Sequence, residues 1–208
     1  MAPASNLTRH RGHVSRPERE ALLGQRGAVL WLTGLSGSGK STIAFALERR
    51  LIDQGRAAYV LDGDNVRFGL NSDLGFSPAD RNENIRRVGE AAALFADAGI
   101  LAIAGFISPY GAHRDRARDR ARGRFVEIYL DVPVSVCEER DPKGLYRKAR
   151  AGEITNFTGV SAPYEAPDSP ELRLDTAALT VDQCVDRIID YLTAEGYLSA
   201  PAAEEAAE

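Results

Sequence analysis

A nine-residue run, Gly34-Leu35-Ser36-Gly37-Ser38-Gly39-Lys40-Ser41-Thr42, has the residue types and spacing of a phosphate-binding loop: glycine, four residues, then Gly-Lys-Ser. Phosphate oxygens need backbone N–H donors close by, and glycines let the backbone approach without a side-chain clash. The apolar run Ala28-Val29-Leu30-Trp31-Leu32 leads in and a helical pattern follows, so the motif sits between a strand and a helix. The helix N-terminus adds partial positive charge. Gly34, Ser36, Gly37, Ser38, Gly39, Lys40, Ser41 and Thr42 are therefore the expected triphosphate contacts. Lys40 is expected to reach the β- and γ-phosphates and Ser41 to set its hydroxyl on Mg²⁺, which makes the ligand a nucleoside triphosphate with its metal.

Transfer of a phosphoryl group calls for an acidic residue near the attacking hydroxyl and the metal. Two places follow apolar strands. Asp131 precedes Val132-Pro133 and a helix, where a carboxylate has a routine capping role. Asp62-Gly63-Asp64-Asn65 places two carboxylates within one turn, with a glycine permitting a sharp bend. Asp62 and Asp64 are the preferred catalytic and metal-side candidates, and capping of the next short helix is the structural alternative for Asp64.

These residues need a frame. Apolar runs at 28–32, 58–61, 100–106, 125–130 and 172–174 read as strands; Ile43, Ala44, Leu47 and Leu51, then Ile85, Val88, Ala92 and Phe95, then Val181, Val185, Ile188 and Leu192 recur at helical spacing. The second helix is read from Asn82 to Ala98. This alternation predicts an α/β, three-layer fold with a mainly parallel five-stranded sheet, whose ligands bind at the carboxyl edge of the strands. Residues 1–25 read as a polar N-terminal arm, disordered or lying on a partner, 26–196 as the folded domain, and 197–208 as a disordered acidic tail. Residues 141–170 lack a long periodic pattern and read as a mobile cover over the site. The arginine-dense run from His113 to Arg124 reads as a solvated helix face.

The 208 residues suit one domain, and a formal charge of −4 argues against a broad nucleic-acid surface. Cys137 and Cys184 form no paired motif and read as apolar packers in a reducing compartment. With neither a signal-peptide core nor a membrane-length apolar run, the expected location is the cytoplasm. No Asn-Lys-x-Asp is present to read guanine, since none of Lys40, Lys143 and Lys148 follows Asn. A mechanical ATPase needs coupling modules for which the chain has little room, which leaves a small-molecule kinase.

Further strings make this specific: Leu61-Asp-Gly-Asp-Asn-Val-Arg67, Asp73-Leu-Gly-Phe-Ser77, Arg81-Asn-Glu-Asn-Ile-Arg-Arg87, Phe106-Ile-Ser-Pro-Tyr110, Arg140-Asp-Pro-Lys-Gly-Leu-Tyr146, Phe157-Thr-Gly159 and Pro163-Tyr-Glu-Ala-Pro167. Together with the phosphate loop they resemble the adenylylsulfate kinases, P-loop small-molecule kinases, from about Gly27 to Thr176. The resemblance implies transfer of the ATP γ-phosphoryl to the 3′-hydroxyl of adenosine 5′-phosphosulfate (APS), giving 3′-phosphoadenosine 5′-phosphosulfate (PAPS) and ADP. An anionic purine acceptor needs fixed positive charge and aromatic faces. Arg67, Arg81 and Asn84 suit the first need, since guanidinium forks match phosphate and sulfate oxygens.

By similarity, Phe76 and Phe157 sandwich the acceptor adenine, Lys143, Gly144 and Leu145 bind it from the cover, and Ile107 walls its pocket. The resemblance also implies that Arg140 packs on the adenine of ATP. Ser108 matches a position at which some bacterial relatives carry phosphoserine, but in-line attack needs no enzyme nucleophile, so Ser108 is expected as a polar wall. Asp64 is expected to orient and deprotonate the 3′-hydroxyl while Asp62 or Asp64 holds Mg²⁺ through water. A homodimer and an ATP sulfurylase partner are further expectations from the resemblance. The competing readings are a kinase of another small hydroxyl compound and a nucleotide-binding regulatory module without catalysis.

Overall fold

The computed structural model describes residues 7, 8, 10 and 12–199. Five strands, β1 (Ala28–Thr33), β2 (Ala58–Asp62), β3 (Leu101–Gly105), β4 (Phe125–Asp131) and β5 (Leu172–Asp175), pair in the order β2-β3-β1-β4-β5 with every neighbour parallel. The three-layer α/β expectation is met, and the sheet is wholly parallel. Side chains of β1 alternate between two apolar layers, as a strand covered on both faces requires. Leu30 and Leu32 join Ile43, Leu47 and Leu51 of α2 (Lys40–Asp53) and Val185, Ile188 and Leu192 of α7 (Val181–Ala194). Val29 and Trp31 join Ile85, Val88 and Ala92 of α3 (Pro78–Asp97) and Ala117 of α4 (Gly111–Arg120). Each large aliphatic side chain so buried contributes about 1.5–3 kcal/mol.

The strands end together at Thr33, Asp62, Gly105 and Asp131, with Asp62 level with Gly105 in the register. After β3 the chain passes from the β2 side of β1 to the β4 side. A crevice opens at such a reversal, and the site lies there.

Several expectations change in three dimensions. Residues 16–23, expected within an arm without structure of its own, form α1 (Arg16–Leu23), and Arg16 and Arg19 both pair with Asp97 at the far end of α3. Residues 197–199 of the expected tail are placed against the domain, with Leu198 buried and bridged to Gln25; the rest of that tail and residues 1–6, 9 and 11 of the arm lie outside the described residues. Helix α3 starts at Pro78 rather than Asn82, because Ser77 caps it by accepting from the Asp80 amide at 3.1 Å. The cover at 141–170 has regular structure: after α5 (Val134–Arg140) it contains α6 (Leu145–Arg150), and its Tyr146, Ala149 and Phe157 pack into an apolar cluster with Leu35, Val132 and Cys137. The arginine-rich α4 is not wholly a solvated face, since Arg114 is 4% exposed.

Candidate active site

The loop between β1 and α2 turns on glycines. Gly37 has φ +76° and a Cβ there would lie 2.8 Å from the Cys137 carbonyl oxygen, so no other residue fits without backbone movement. Lys40 Nζ donates to the Gly34 carbonyl at 2.9 Å, the Leu35 carbonyl at 2.6 Å and Ser38 Oγ at 3.3 Å. Burial lowers the Lys40 pKa to about 8. The loop is fastened from outside as well. Thr176 Oγ1 donates to the Ser38 carbonyl at 3.0 Å, Tyr146 of α6 donates to the Ser36 carbonyl at 3.0 Å, and Arg140 donates to the Thr176 carbonyl at 2.6 Å.

The two carboxylates after β2 behave differently. Asp62 is 7% exposed; its Oδ2 accepts from Ser41 Oγ at 2.7 Å and its Oδ1 from the amides of Asp64 and Asn65 at 3.0 and 3.3 Å. Asp62 thus holds the start of the 3₁₀ turn Asn65–Phe68. Asp64 makes no side-chain cap there; its carboxylate is exposed and pairs with Lys143 from the cover. Asp131 turns away toward Arg173 at 3.7 Å and does not line the cleft. Among the described residues no cluster of three or more His, Cys, Asp or Glu side chains could hold a metal alone. The Ser41 hydroxyl beside the Asp62 carboxylate is instead a pair of hard oxygen donors, which fits Mg²⁺ completed by phosphate oxygens and water.

A cleft of about 1480 Å³ joins these groups to a second, cationic half. Arg67 stands 4.4 Å from the centre of the Phe76 ring and donates to the carbonyls of Leu74 and Gly75 at 3.2 and 3.0 Å. Arg81 Nε donates to the Phe76 carbonyl at 3.0 Å. Burial, and after it the neighbouring Arg81 charge, press the Arg67 pKa below the ordinary guanidinium value. Asn84 is buried, and its Oδ1 accepts from Asn71 Nδ2 at 2.9 Å. Ile107 and Ser108 wall the cleft after β3, and the Ser108 hydroxyl lies inside the protein, accepting from Trp31 Nε1 at 3.0 Å and donating to Thr33 Oγ1 at 2.9 Å.

The aromatic pair expected around an adenine is asymmetric. Phe76 is 69% exposed, whereas Phe157 is 8% exposed and packs edge-on against Tyr146 at 5.0 Å while lining the cleft. Of the expected site residues, only Gly34 and Gly144 do not line the cleft. Gly34 supplies a carbonyl to Lys40, and Gly144, at φ +64°, makes the turn into α6. Thr176, Leu179, Thr180, Val181, Tyr110 and His113 also line the cleft, and none of them is among the site residues expected from the sequence. One signal was available: Thr180 followed by Gln183 is a capping box that fixes the start of α7 beside the loop.

The sequence pattern of the adenylylsulphate kinase family matches residues 26–175. An adenylyl-sulfate kinase from Clostridium acetobutylicum is 57% identical over 189 residues, 91% of this chain and 94% of the relative. One from Saccharomyces cerevisiae is 57% identical over 195 residues, 92% of this chain and 96% of its own. Among solved structures, the Mycobacterium tuberculosis APS kinase in complex with AMPPNP and APS superposes with a TM-score of 0.78 at 53% identity, covering 81% of this chain and 98% of that one. A gluconokinase from Sinorhizobium meliloti shares the fold at 18% identity and a TM-score of 0.56, covering 82% and 94%.

Proposed function

We propose a division of labour in this cleft from one premise: the chain belongs to the adenylylsulphate kinase family, and it is an ATP-dependent kinase that converts APS to PAPS. The observation that carries the residue roles is a single cleft lined by the phosphate loop, by Asp64 and by the Arg67–Phe76–Arg81 group.

ATP lies with its phosphates along Ser36, Gly37, Ser38, Gly39 and Thr42, with Gly34 starting the loop behind them, and Arg140 packs on its adenine. Lys40 leaves the loop carbonyls for the β- and γ-phosphates, where an ammonium is worth more than in water because the site is enclosed. Ser41 and Asp62 would hold the Mg²⁺ that accompanies ATP, with Asp64 contributing through water. Bound there, the metal neutralises charge on the β- and γ-phosphate oxygens.

Arg67, Arg81 and Asn84 take the anionic end and sugar of APS, Phe76 and Phe157 its adenine, and Ile107 and Ser108 its flank. Lys143 gives up Asp64 as the cover closes, and with Gly144 and Leu145 it moves onto the acceptor. Asp64 then accepts the 3′-hydroxyl proton while the bond from that oxygen to the γ-phosphorus forms and the bond to the β-phosphate bridging oxygen breaks, releasing ADP. Closure excludes water, which would otherwise compete for the phosphoryl group. The homodimer expected from the resemblance is proposed alongside; a related APS kinase from Thiobacillus denitrificans is hexameric. Light scattering tests it, and co-purification tests the proposed ATP sulfurylase partner.

The test is an acceptor panel. Purified chain with ATP and Mg²⁺ is expected to release ADP with APS and to give PAPS identified by mass. Faster turnover with a nucleoside, shikimate or gluconate would replace this substrate, and no turnover with any acceptor would leave a binding module.

A further inference from the structure

Behind the acceptor side of the cleft lies a group of charges that the steps above do not use. Arg114 and Glu127 are both buried, and Arg114 Nε donates to Glu127 Oε1 at 2.7 Å. Glu127 also accepts from Arg118 at 3.2 Å, and Arg118 reaches Glu171 at 2.8 Å. A buried ion pair is a poor source of stability, because desolvation offsets most of the attraction. Its reach is more telling: Arg114 Nη1 donates to the Ser108 carbonyl at 2.8 Å, linking the network to the cleft wall.

Ser108 is a residue that has to be held. Its φ is +39°, a left-handed backbone that side chains other than glycine rarely adopt, and such conformations persist only where surrounding bonds over-determine them. Here the carbonyl is taken by Arg114 and the hydroxyl by Trp31 and Thr33. Trp31 is itself stacked between Phe106 and Phe125, with centroids 5.7 and 5.8 Å away. The preceding carbonyl, Ile107, accepts from Thr33 Oγ1 at 2.8 Å. Both carbonyls of the turn are therefore satisfied inside the protein, whereas the amides of Ile107 and Ser108 have no acceptor among the described residues. What the turn can still offer a ligand is donors, which suits an anion.

We propose that Arg114 is a positioning residue for the acceptor: anchored by Glu127, it draws the Ser108 carbonyl inward and keeps the Ile107–Ser108 turn in the strained form that APS binds. This rests on the acceptor half assigned above. Arg114→Lys keeps a cation beside Glu127, but an ammonium cannot span Glu127 and the Ser108 carbonyl as the guanidinium fork does. The double variant Arg114→Met/Glu127→Met removes both charges together and leaves no buried charge unpaired.

Steady-state kinetics on both variants, with thermal melts alongside, tests this. The KM for APS is expected to rise about tenfold, the loss typical of one charge-assisted hydrogen bond, with the KM for ATP within about twofold of the parent. An unchanged APS KM, an equal rise for both substrates, or failure of both variants to fold overturns the role and leaves the network a stability device. The parent enzyme is the control for the underlying reading: if it does not phosphorylate APS, the substrate is wrong, whereas an active parent with unaffected variants sinks only Arg114.

Discussion

The two halves of the cleft are built in different ways. The triphosphate half comes mostly from one unbroken run, the end of β1, the glycine loop and the start of α2, with Asp62 joined to it by the Ser41 hydroxyl. The acceptor half is gathered from five separated places: Arg67, Phe76, the first turns of α3, the Ile107–Ser108 turn and the cover. In the first, backbone geometry sets the donors, and neighbouring elements only fasten it. In the second, side chains are aimed by other side chains, as Arg67 is by Phe76 and Ser108 by Trp31, Thr33 and Arg114. A lesion in the triphosphate half should therefore stop the reaction whatever the acceptor, and one in the acceptor half should spare ATP.

The largest expected effect is in the triphosphate half. Lys40→Met should lower kcat by about 10³–10⁵-fold, the range for removing a cation from a transferring phosphoryl group. Single-turnover assays check it, and a loss below tenfold would mean the loop lacks the role assigned to it. Asp64→Asn stands at the border. It should lower kcat by about 10²–10⁴-fold. ATP binding, followed by calorimetry, should stay near the parent value; weakened ATP binding would move Asp64 to the triphosphate half.

Arg81→Ala should raise the KM for APS by about 10–100-fold, as expected for lost charge-assisted hydrogen bonds. If the KM for ATP rose as much, the two halves would not be separable. The smallest effect is a pH dependence. With the Lys40 pKa at about 8, its ammonium is present at pH 7 and lost as pH rises past 8, so kcat/KM for ATP should decline there at saturating APS. Stability should run the other way. The folded-state pKa lies below the ordinary lysine value of 10.5, so the unfolded chain binds the extra proton between about 8 and 10.5 and resistance to unfolding grows across that window. A flat profile to pH 9.5 would contradict the burial of this lysine.

The halves also differ in how much of them could be read beforehand. The loop from Gly34 to Thr42, the strand before it and the carboxylate turn at Asp62 were legible because each is a local pattern. Burial of Arg114 was not, because four arginines at 114, 116, 118 and 120 look like a solvated helix until Glu127 of β4 is known to lie against Arg114 and Arg118. The resemblance implies an aromatic face for the acceptor adenine at Phe157, whereas its edge-on packing against Tyr146 exists only in the fold. Docking of α1 depends on Asp97, at the far end of another helix.

By itself the sequence determined the order of the five strands and of the helices α2, α3 and α7, the phosphate loop and the acidic turn beside it, because periodicity, glycine placement and capping act over a few residues. Tertiary structure alone decided which arginines are buried, which of Asp62 and Asp64 is locked and which is free to meet the cover, and how the Ile107–Ser108 turn is held. Those outcomes depend on partners far apart along the chain, and a hydrogen bond or desolvation penalty between them takes effect only once folding has brought them together.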